Sequence, residues 1–112
     1  MKILFKPQTE WLPPTDFPDL RKYDEIAIDL ETKDPNLNER MGSGSVVGVG
    51  DVVGISLATH DWCAYYPIAH EGGGNMDRKM VLNWFQDQMR SPSTKIFHNA
   101  MYDVCWLRAL GI

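Results

Sequence analysis

Residues 26–31 read Ile-Ala-Ile-Asp-Leu-Glu, and this alternation constrains the fold more than any other stretch of the chain. In a β-strand successive side chains point to opposite faces. Ile26, Ile28 and Leu30 therefore share one face, which needs a core. Ala27, Asp29 and Glu31 share the other, where the small alanine leaves room above the sheet. Two acids one pleat apart repel each other unless a positive group lies between them. Taken alone, the strand fits either a pair of solvated acids at its end or a site that gathers a cation.

Around this strand the sequence changes period in a readable order. Residues 1–23 are punctuated by Pro7, Pro13, Pro14 and Pro18 and read as an extended lead-in lying over a domain surface. The stretch from Thr32 to Asp51 is turn chemistry, with Asp34-Pro35-Asn36 and several glycines; so long a loop in a compact domain is usually functional or mobile. Residues 52–59 and 62–68 read as two further strands, and Thr59-His-Asp61 is short enough for an antiparallel hairpin. Asp77 is placed to cap a helix running to about Arg90, with Val81, Trp84, Phe85, Gln88 and Met89 along one stripe. Residues 94–98 form a short strand. Asn99 then caps a helix over residues 100–110, closed by Gly111. The order β-β-β-α-β-α predicts an α/β fold: a mixed sheet with helices packed on it.

Composition narrows the function. With 112 residues and 44% hydrophobic content the chain can build one small domain, and wholesale disorder is excluded. A net charge of −4 excludes a broadly basic nucleic-acid binder, but not a nucleic-acid enzyme whose positive charge comes from a metal ion. Cys63 and Cys105 are too few for a disulfide scaffold, and the N-terminus has no secretory h-region. No apolar window approaches the length of a membrane span. The expectation is a soluble cytoplasmic protein with reduced thiols and no membrane partner.

The last helix bears on the two readings of the strand. Asp103 shares a face with Trp106, Leu107 and Leu110, at helical offsets of three, four and seven. That face should dock on the sheet, so a carboxylate is carried to the buried side. Removing an unpaired carboxylate from water costs several kcal/mol, so it needs a cation, a donor network or a proton. No lysine or arginine shares the face, although Asn99 or a hydroxyl could serve. Acids converging from a strand and a helix suit a hard divalent cation, Mg²⁺ or Mn²⁺, of the kind that serves phosphoryl chemistry.

These residues carry a family resemblance. Asp29-Leu-Glu31-Thr32 resembles the Asp-x-Glu first motif of DEDD 3′→5′ exonucleases. His98-Asn99-Ala-Met-Tyr102-Asp103 with Trp106-Leu-Arg-Ala-Leu-Gly-Ile112 resembles the second motif, Asn-x-x-x-Asp. The version is most similar to the proofreading domain of family-A DNA polymerases of phage type. Val53-Gly-Ile-Ser-Leu57, Ala64-Tyr-Tyr-Pro-Ile-Ala-His-Glu71 and the Gly72–Gly74 run fall where that family has its second and third strands, so the likeness covers residues 24–112. It implies a ribonuclease-H-like fold and two-metal-ion hydrolysis of the 3′-terminal phosphodiester of single-stranded DNA. It implies Asp29 bridging two ions, Glu31 on the nucleophile-side ion and Asp103 on the leaving-group-side ion. Asn99, Thr32 and Tyr102 become candidate substrate contacts, and Leu37, beside Pro35, a candidate apolar wedge.

The family's third motif, Tyr-x-x-x-Asp or His-x-x-x-Asp, does not follow Asp103 within these residues. The expectation is therefore a C-terminally incomplete exonuclease domain, residues 24–112, with little or no nuclease activity alone. Its expected partners are the 3′ end of single-stranded DNA and the remaining exonuclease and polymerase segments, in cis or as a separate chain. The alternatives are a piece of a free-standing ribonuclease-D-like exonuclease, or a non-catalytic interaction or nucleic-acid-binding module. The glycines of residues 42–54 precede a strand and lack a following Gly-Lys-Ser/Thr, so phosphate-loop readings fail. His60, Cys63 and His70 lack zinc spacing and read as turn and strand residues. Trp62, Tyr65, Tyr66, Trp84 and Phe85 read as core.

Overall fold

The computed structural model of the protein describes residues 11–34 and 50–112. Its elements are β1 (Glu25–Lys33), β2 (Asp51–Ala58), β3 (Cys63–Pro67), α1 (Arg78–Met89), β4 (Thr94–Phe97) and α2 (Ala100–Ala109). One four-stranded sheet has the order β3-β2-β1-β4. β1–β2 and β2–β3 are antiparallel, and β4 returns parallel to β1 on its other side. The strand and helix order expected from the sequence is the order observed.

Alternation in β1 sets which side of the sheet is buried. Ile26, Ile28 and Leu30 join Ile55, Leu57 and Tyr66 under α1 and α2, whose Val81, Trp84, Phe85, Trp106 and Leu107 complete the core. Asp77 caps α1 as expected, its Oδ1 accepting from the Met80 N–H at 3.0 Å. Asn99 stands at the N-cap position of α2 but makes no side-chain capping bond, because its backbone (φ −126°, ψ 77°) does not aim the side chain at the first turn. Gly111, at φ +83°, closes α2; a left-handed residue there lets the Ile112 N–H reach back to the Leu107 carbonyl at 2.9 Å.

Residues 11–20 form neither helix nor strand and turn at Arg21–Lys22, yet they reach into the core. Leu20 is fully buried, and its N–H donates to Gln88 Oε1 at 2.8 Å, which satisfies the buried glutamine on α1. Trp84 Nε1 donates to the Pro18 carbonyl at 2.8 Å, and the Tyr66 hydroxyl to that of Asp16 at 3.1 Å. Phe17 stacks on Tyr66. No helix among the described residues is long and apolar enough to cross a membrane.

Candidate metal and nucleic-acid site

β4 ends with Phe97 opposite Ile28, so beyond that point β1 has no strand on one side. α2 fills the gap. Asp103, only 3% exposed on the buried face of this helix, accepts from the Leu30 backbone N–H, as a strand carbonyl would. Its Oδ2 is nevertheless buried with no hydrogen-bond partner. Burial pushes the Asp103 carboxyl above the ordinary carboxylate range, and the charge of nearby Asp29 pushes it further. The Leu30 bond and the nearby His98 pull the other way. Desolvation and a like charge thus both penalise the carboxylate in the place the fold gives it.

Asp29 and Glu31 lie exposed on the open face of β1, where the alternation puts them. Neither makes a hydrogen bond or ion pair among the described residues. The Asp29 charge reaches Asp103; Glu31 stands one pleat further along β1. Among the described residues no three histidine, cysteine or carboxylate side chains stand close enough together to hold a metal ion. A centre that used all three acids would need the exposed Glu31 side chain to rotate inward. The orphaned Oδ2 of Asp103, within reach of the Asp29 charge, is the observation that fits a hard cation with oxygen ligands.

Thr32 and Tyr102, both expected to meet substrate, bond each other: Thr32 Oγ1 and the Tyr102 hydroxyl are 2.8 Å apart. The same hydroxyl donates to Asp34 Oδ2 at 3.0 Å, and the Tyr102 ring meets Trp106 edge-on. This bridge ties the first turn of α2 to the end of β1. Asn99 is exposed, its side chain making no capping bond to the helix. Leu37 and Pro35 lie outside the described residues.

The open face also carries residues that the sequence reading placed elsewhere. Tyr65 is not core. It pairs with Ser56, which pairs with Asp29, and all three side chains share the acidic face. Adjacent Tyr65 and Tyr66 on one strand must face opposite ways, so one of them was bound to lie beside the acids. The Tyr65 hydroxyl bonds His70 Nε2, so His70 is more than a turn residue. Around them Ala27, Asp29, Ser56, Ala58, Ile96 and His98 floor an open trough of about 810 Å³.

No protein-family model matches the chain. The DNA-directed DNA polymerase of Pseudomonas phage M6 is 33% identical to it over 109 residues, which is 93% of this chain and 16% of that polymerase. The chain is therefore similar, over nearly all its length, to a small part of a phage DNA polymerase.

Proposed function

We propose that this chain is the acidic-site portion of a 3′→5′ exonuclease domain of a family-A, phage-type DNA polymerase, acting on the 3′ end of single-stranded DNA. The buried, partnerless Oδ2 of Asp103 beside Asp29 carries the reading. The similarity to a phage DNA polymerase supports it, and the β3-β2-β1-β4 mixed sheet is compatible with a ribonuclease-H-like fold.

Asp29, Glu31 and Asp103 are the residues that would hold two Mg²⁺ or Mn²⁺ ions. Bound there, the ions would supply Lewis-acid stabilisation and a nucleophilic water for phosphodiester hydrolysis. Asp29, on a rigid central strand, sets the centre of the site. Asp103 offers Oδ2 while its carboxyl stays anchored to Leu30. Glu31, exposed and unpaired, completes the set by rotation. The Tyr102–Thr32 bridge holds α2 in place, and Asn99 meets the terminal nucleotide.

The test is a Mn²⁺ titration of the whole chain, followed by the electron paramagnetic resonance signal of free Mn²⁺. Wild type should take up Mn²⁺, and Asp29→Asn and Asp103→Asn should each abolish it. Mn²⁺ should also strengthen binding of a single-stranded oligonucleotide with a 3′ hydroxyl, read by fluorescence anisotropy. A wild-type chain that takes up no Mn²⁺ would mark a non-catalytic module and sink the reading.

A further inference from the structure

Gly54 lies in the middle of β2 and is the register partner of Glu31. The only glycine in that strand, it answers to space and not to backbone shape: a Cβ there would run into the Tyr65 hydroxyl and ring. Tyr65 thus lies across the gap that Gly54 leaves, on the face that Glu31 occupies. The ladder shifts register between Glu31 and Thr32, immediately beyond this pair, so the sheet is irregular where Glu31 stands. Burial, and after it the Glu31 charge, raises the Tyr65 phenol above its ordinary value.

Behind Tyr65 the arrangement is braced. His70 Nε2 bonds the phenol oxygen. The backbone of His70 is gripped twice by Asn75, whose Oδ1 accepts from the His70 N–H at 2.7 Å and whose Nδ2 donates to its carbonyl at 2.9 Å. Glu71, the next residue, pairs with Lys33 at the end of β1. The loop is therefore tied to the strand that bears the acids. A phenol has a single proton to give. When His70 Nε2–H donates to the phenol oxygen, that proton is released from His70 and is free for the carboxylate across Gly54.

We propose that Tyr65 and His70 are a positioning pair for Glu31, in which His70 orients the Tyr65 hydroxyl and the hydroxyl sets the Glu31 carboxylate for metal binding. This rests on the metal-site reading above and adds two residues to it. Partners of metal-ligating carboxylates of this kind commonly change affinity by about 10–100-fold when removed.

The experiment is the same Mn²⁺ titration on Tyr65→Phe, His70→Ala, His70→Gln and the double variant Tyr65→Phe/His70→Ala, with a melting curve for each. Tyr65→Phe keeps the ring over Gly54 and should weaken Mn²⁺ binding about tenfold with its melting temperature little changed. His70→Ala should weaken it similarly, and His70→Gln, which can still donate to the phenol, should restore most of the affinity. The double variant should be no worse than Tyr65→Phe, because the two residues act through one hydroxyl. A Tyr65→Phe chain that binds Mn²⁺ as well as or better than wild type overturns the positioning pair while leaving the metal site standing. Wild type silent to Mn²⁺ overturns both, and additive losses in the double variant overturn the shared-hydroxyl link.

Discussion

The two faces of β1 are made by one alternating sequence, yet they obey different rules. On one face Ile26, Ile28 and Leu30 are buried under α1, α2 and the 16–20 segment, in a cluster of apolar side chains. On the other, Ala27, Asp29 and Glu31 are exposed, Ala27 and Asp29 line the trough, and neither acid makes a hydrogen bond or ion pair among the described residues. The first face earns its place through packing density. The second accepts electrostatic cost, and Asp103 adds to that cost from the buried side.

The largest test of the contrast is a cavity on the packed face. Phe85→Ala should cost about 3–5 kcal/mol in urea unfolding, since a fully buried ring is replaced by a void. Gly54→Ala on the open face should cost about 1–3 kcal/mol, because the new methyl displaces Tyr65. In a Tyr65→Ala background the same change should cost little, a coupling that chemical denaturation of the four chains would measure. If Gly54→Ala is equally harmful in both backgrounds, the glycine serves the backbone and not the ring.

Smaller and opposite in sign is Asp103→Asn, which should stabilise the metal-free chain at neutral pH by about 1–2 kcal/mol. Below the ordinary carboxylate range Asp103 is protonated in both the folded and unfolded chain, and no penalty operates. As pH rises through the ordinary value toward the raised folded one, the unfolded chain releases its proton first and stability falls. The gain from Asp103→Asn should therefore be full above that window and vanish below it, as thermal melts across the acid range would show. Saturating Mn²⁺ should reverse the ranking, stabilising wild type and not the variant. Least of all, Ser56→Ala on the trough floor should stay within about 0.5 kcal/mol of wild type.

Much of this architecture is legible in the residues. The strand order, the Asp77 cap, the Gly111 stop and the burial of Asp103 all follow from local chemistry or from period, and the structure has each of them. Other features depend on register and long-range contact. Leu20 looks like part of a surface lead-in, yet Gln88 on a distant helix draws it into the core. Tyr65 stands beside Tyr66 in an apolar run and looks like core; only pairing with Ser56 assigns its face. Thr32 and Tyr102 share no local signal, since 70 residues separate the two hydroxyls that meet.

By itself the sequence determined which residues alternate, where helices start and stop, and that Asp29, Glu31 and Asp103 could not all be ordinary surface acids. These are consequences of side-chain period and of the cost of desolvating charge. What the residues could not specify was long-range placement: β4 ends opposite Ile28, Asp103 is buried within reach of the Asp29 charge, and Glu31 stands opposite Gly54, whose missing side chain makes room for Tyr65. The physical reason is that proximity between residues far apart in the chain is set by strand length and register, which no local pattern encodes.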